Sequence, residues 1–99
     1  MVIIASIAYP TERAREVGKR LQELPPAPAY ITMKGPYVSG ETGVGIKSIV
    51  LYEFDQSKTR EALDYVGNRL AKYIGIPGFT YSANVWFEAK EALSMIGLG

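Results

Sequence analysis

The amino-acid sequence predicts an α+β domain: two helices packed on one face of a four-stranded antiparallel sheet, with a short helix after the last strand. Three observations predict it. Four stretches rich in β-branched and aromatic residues are bounded by glycine and proline. Two stretches between them repeat apolar residues at helical spacing. The chain has 99 residues, 47% of them hydrophobic and 21% charged, which is the size and composition of one globular unit, so residues 1–99 form a single domain.

Val2 to Tyr9 is rich in β-branched residues and stops at Pro10, as a buried strand would. Thr11 is placed to cap the helix that follows, and Glu12 lies in its first turn, where the helix dipole favours a negative charge. Ala14, Val17, Leu21 and Leu24 make its apolar stripe, and Pro25 and Pro26 end it. Tyr30 to Val38 reads as the second strand. Its Pro36 cannot donate to a ladder, so this strand belongs at a sheet edge. Ser39 to Gly45 is glycine-rich and reads as a flexible hairpin loop leading to a strongly apolar third strand, Ile46 to Phe54.

Asp55 or Ser57 caps the second helix, whose apolar stripe is Ala62, Leu63, Val66, Leu70, Tyr73 and Ile74. Gly75 and Pro77 close it. Phe79 to Phe87 alternates as a fourth strand, and Glu88 to Ile96 forms a terminal helix with Glu88 and Glu91 on a solvated side. The order β-α-β-β-α-β, with right-handed crossovers and a proline-bearing edge, predicts a ferredoxin-like sandwich with strands one and three in the middle.

Composition removes whole classes of chemistry. The chain has no cysteine and no histidine, so disulfides, thiolate metal sites and histidine acid–base catalysis are excluded. No motif calls for a cofactor or a metal. The net charge of +1 gives no general attraction to nucleic acid or anionic lipid. The apolar start lacks a basic leader and is too short to span a membrane, so a cytoplasmic location with no membrane partner is expected.

Individual motifs fall short of their prototypes. Gly40 to Ser48 nearly spells a phosphate loop, but Ile46 separates the glycine from Lys47 and a strand follows where a helix N-terminus is needed. RNA-recognition domains share the element order, yet Lys47, Ile49 and Ile3 stand where their base-stacking aromatics belong. The acylphosphatase loop, the paired cysteines of metal carriers and the Asp-x-Pro-Gly turn of ACT-type sensors are absent. Glu53 and Asp55 are two carboxylates at a strand end, too few for a cation site.

Side chains alternate across a strand, so each strand divides into two sets. The partition read from the sequence puts Ile3, Ala5, Ile7, Ile31, Met33, Ile49, Leu51, Tyr81, Ala83 and Val85 under the helices. The opposite face then carries an apolar centre of Val2, Ile4, Val50, Tyr52 and Phe54 over some ~300 Å², near the limit left bare on a monomer. A homodimer with opposed sheet faces is expected. Ser6, Lys34, Tyr52, Asn84 and Trp86 point into the covered space, where an apolar wall with a few polar groups would hold a small ligand.

On these features the chain resembles the dimeric α+β-barrel superfamily, small ferredoxin-like proteins that include cofactor-free monooxygenases and muconolactone-isomerase-like enzymes. Met33-Lys34-Gly35-Pro36-Tyr37 and Tyr52-Glu53-Phe54-Asp55 are similar to segments of small uncharacterised prokaryotic proteins. The resemblance implies two sheets joined around a cavity. Two functions follow as expectations: a homodimer enclosing a small apolar or aromatic ligand, with or without turnover, or a non-catalytic assembly module whose sheet face is filled by its partner.

Overall fold

The computed structural model describes residues 1–99. Strand β1 (Val2–Tyr9) leads through a 3-10 turn, Thr11–Arg13, into α1 (Ala14–Gln22). The antiparallel pair β2 (Thr32–Glu41) and β3 (Gly45–Glu53) follows. A second 3-10 turn, Gln56–Lys58, opens α2 (Thr59–Ala71), and β4 (Thr80–Trp86) and α3 (Ala89–Met95) complete the chain. The four strands form one antiparallel sheet in the order β2-β3-β1-β4, with β1 and β3 inside and the proline-bearing β2 at an edge.

Local chemistry accounts for the element ends. Asp55 accepts hydrogen bonds from the Ser57 amide at 3.0 Å and the Ser57 hydroxyl at 2.6 Å, which holds the turn that starts α2. These bonds keep the Asp55 carboxyl below its ordinary pKa. The other helix starts differently from expectation: Thr11 makes no cap, because Pro10 occupies the capping position and the chain enters through the 3-10 turn. At the far end of α2, Arg20 of α1 donates to the carbonyls of Lys72 at 3.0 Å and Ile74 at 2.9 Å. It thereby satisfies acceptors that a helix C-terminus leaves free.

The β2–β3 connection is tighter than its composition suggested. The strands run on to Glu41 and from Gly45, so only Thr42–Val44 turn, and the seven-residue flexible loop is replaced by an ordered hairpin. Gly45 makes this possible: its φ is 109°, and a Cβ there would sit 2.6 Å from the Tyr9 carbonyl oxygen. Earlier in β2 the register shifts between Lys34 and Tyr37, a bulge that returns the later residues to alternating faces.

The core lies between sheet and helices in two clusters. One gathers Ile3, Ala5, Val50, Tyr52 and Phe54 against Ala62, Val66 and Leu70 of α2. The other gathers Tyr9, Val17, Tyr73 and Ile76, with Phe79 stacked between Tyr9 and Tyr73 at centroid distances of 6.4 and 4.9 Å. Leu63 and Ile74, expected in the stripe of α2, are exposed instead.

The face assignment of β3 corrects the sequence-based one. Tyr52 pairs with Ile3 and Val50 with Ala5, so Ser48, Val50, Tyr52 and Phe54 face the helices while Ile49 and Leu51 face away. Apolar residues stand on both sides of this strand, so its apolar pattern alone does not orient it. Lys47 and Glu53 beside Ile49 and Leu51 mark the outward side, and the ladder to β1 fixes it. Val50 is 9% exposed and Ile49 39%.

The molecule is extended for its length. Its radius of gyration is 15.1 Å, where about 12.6 Å is usual for a chain of this length. Its accessible surface is 6536 Å², where a compact monomer of its mass exposes about 5,600 Å². The loosely packed α3 contributes to this excess: Leu93, Met95, Ile96 and Leu98 are all exposed on or just after it. Glu88 and Glu91 are not merely solvated, since they form a reciprocal capping box, and Glu91 lies 3.2 Å from the amino group of Met1. No helix is long and apolar enough to cross a membrane.

Candidate functional site

Two surfaces can be built upward from these elements. The first is the sheet face turned away from the helices. Cross-strand pairing arranges it in rows: Thr32, Glu53, Val2 and Trp86; then Lys34, Leu51, Ile4 and Asn84; then Tyr37, Ile49, Ser6 and Ser82. An apolar band of Val2, Ile4, Ile49 and Leu51 runs down the middle, flanked by exposed Tyr37 on one edge strand and Trp86, 54% exposed, on the other.

Of the five residues expected to share this face, four do: Ser6, Lys34, Asn84 and Trp86. They do not converge within one chain. Lys34 and Asn84 occupy opposite edge strands of one row, about 14 Å apart with Leu51 and Ile4 between them. Lys34 is also engaged, with its ammonium 2.8 Å from a Glu53 carboxylate oxygen. That hydrogen bond and the carboxylate charge raise the lysine's pKa.

Tyr52, the fifth, is on the other side of the sheet. It is 2% exposed and meets Tyr65 edge-on at 6.2 Å. The physical reason is the inverted set of β3: with Ile3 as its cross-strand neighbour, Tyr52 must share the helix-covered face.

The second surface is the one to which Tyr52 belongs. A cavity of about 60 Å³ opens between the helices and the β2–β3 side of the sheet. Ala5, Ile7, Val50, Val17, Leu21 and Leu70 supply apolar walls, and Pro36 and Val38 form the rim on β2. Val38 is 64% exposed because neither helix reaches over this edge. The polar lining comes from Tyr9, Ser48, Tyr52, Tyr73 and Arg69.

Burial raises the pKa of the Tyr9, Tyr52 and Tyr73 phenols; at Tyr52 and Tyr73 the nearby Arg69 guanidinium opposes that rise without cancelling it. All three are therefore neutral donors at ordinary pH. Arg69 donates to the Tyr65 hydroxyl at 3.3 Å. A sequence signal for this cluster exists. Tyr65 and Arg69 lie four apart on α2, and Tyr73 follows four further on, in the turn that ends the helix.

No three carboxylates gather as a metal site anywhere in the chain. Compared with protein-family models, with curated proteins and with solved structures, the chain matches none.

Proposed function

We propose that this chain is a self-associating module of ferredoxin-like architecture, in which two copies oppose their open sheet faces as dimeric α+β barrels do. The surface excess carries this reading. The chain exposes about 900 Å² more than a compact monomer of its mass, close to the ~800 Å² that each partner contributes to a stable interface. The sheet face supplies part of that area through Val2, Ile4, Ile49 and Leu51, rimmed by Tyr37 and Trp86. The exposed apolar residues of α3 and its tail supply the rest.

A second reading is kept because pairing would complete a site that one chain leaves open. With a two-fold axis along the strands, β2 of one copy lies over β4 of the other. Lys34 then meets Asn84 and Trp86 across the interface, near Ser6, and a small ligand could be enclosed there.

Sedimentation velocity tests the assembly. At about 100 μM the expected species has twice the 10.9 kDa mass of one chain, and Ile49→Asp converts it to a folded monomer. A monomeric wild-type protein at that concentration would overturn the proposal. Native mass spectrometry of the purified dimer separates the two readings: a retained small molecule supports the enclosed site, and a bare dimer supports pure assembly.

A further inference from the structure

The cavity on the helix side is lined by three hydroxyls that make no hydrogen bond within the fold. Ser48 is 4% exposed, and neither its hydroxyl nor those of Tyr9 and Tyr73 takes part in a hydrogen bond within the chain. Yet no fully enclosed side-chain oxygen in the molecule lacks a partner. These hydroxyls therefore border open volume, and the volume they share is this cavity. Open on that side and unengaged within the chain, these hydroxyls are free to donate to an acceptor that enters the cavity.

The charge of the lining points the same way. Arg69 is the one charged residue among those that border the cavity, and no carboxylate lies within reach of it: the four ion pairs of the molecule involve other residues. It is half-buried, and its side-chain partners, Tyr65 at 3.3 Å and the nearby Tyr52, are neutral phenols. A guanidinium in that position has donors left over, in the planar fork that matches a carboxylate. The remaining walls are apolar, which suits a short hydrocarbon body and not a hydrated ion such as phosphate.

Size sets the class. At roughly 10–15 Å³ for each water-sized group, 60 Å³ admits about four to six non-hydrogen atoms. We infer that the cavity between the helices and the β2–β3 edge is a binding site for a short aliphatic monocarboxylate, its carboxylate on Arg69 and the Ser48 and tyrosine hydroxyls, its chain against Val17, Leu21 and Val50. A longer acid would leave its tail at the rim beside Val38. The site lies within one chain, so it stands whether or not the sheet faces pair.

Sodium propionate, with 1-propanol as its neutral counterpart, is the test, followed by amide chemical shifts of the intact chain. Saturable shifts are expected at Ser48, Tyr52 and Arg69 with propionate, and at least tenfold weaker binding with 1-propanol. Arg69→Gln should weaken propionate at least tenfold. Val38→Phe, at an exposed rim position, should block entry with the fold kept, and it decides the matter if Arg69→Gln fails to fold. Absence of saturable shifts overturns the inference, as does equal binding of the alcohol or undiminished binding by a folded Arg69→Gln or Val38→Phe protein.

Discussion

Adjacent positions in β3 offer the sharpest test of the structure, because aspartate at 49 and at 50 should have opposite consequences. Val50 is 9% exposed beneath α2, paired with Ala5. A carboxylate there must either ionise in an apolar site or hold its proton. A pKa displaced upward by roughly 3–5 units costs about 4 kcal/mol at neutral pH, where protonation caps the penalty. Losing the buried valine adds about 1.5–2 kcal/mol. The sum, on the order of 6 kcal/mol, matches the lower end of the whole stability of a domain of this length, roughly 5–15 kcal/mol. Val50→Asp should therefore be unfolded, or melt at the lowest urea concentrations. Ile49 is 39% exposed on the opposite face, where an aspartate reaches water directly and costs about 1 kcal/mol in strand propensity and lost contact. Far-UV circular dichroism with urea titration reads both. A folded Val50→Asp protein beside an unfolded Ile49→Asp protein would show the strand turned over, and the reasoning about both faces would fail with it.

Two other outcomes are expected. Burial raises the pKa of Tyr9, Tyr52 and Tyr73, so the folded state keeps protons that the unfolded chain releases from about pH 10 upward. Stability from these groups is complete below that pH and falls as pH rises toward the folded-state values, by up to about 1.4 kcal/mol per pH unit for each tyrosine. Urea midpoints measured from pH 8 to 12 should drop steeply above 10 and coincide with phenolate absorbance; a flat profile would contradict the burial. Arg20→Ala removes two hydrogen bonds to the carbonyls that end α2, and their partial exposure limits the cost to about 1–2 kcal/mol, or a melting point lower by roughly 4–16 °C. Arg20→Lys should recover part of that loss in calorimetry.

Propensity and punctuation are local, and what depends on them was legible in the residues. Pro10 ends β1, the Asp55 turn starts α2, and Gly75 follows it with a φ of 98°. Pro36 requires an edge, and β2 is at one. The absence of histidine and cysteine bounds the chemistry without any coordinates. Four of the five expected site residues share the open face because β1, β4 and the first half of β2 each alternate in a readable way.

What stayed hidden depends on the partner of each strand. β3 is apolar at Ile46, Ile49, Val50, Leu51 and Tyr52, so apolar residues stand on both of its sides and only Lys47 and Glu53 mark the outward one. The pairing of Ile3 with Tyr52 fixes the side, and that contact joins residues far apart in the chain. The same pairing carries Tyr52 and Ser48 into the cavity, where Arg69 arrives from α2, Tyr73 from the turn after it and Tyr9 from the end of β1. Periodicity within a segment determines which elements exist and which residues can be inside; the tertiary fold decides which of two apolar faces turns to the core, because that choice is made by neighbours the segment does not contain.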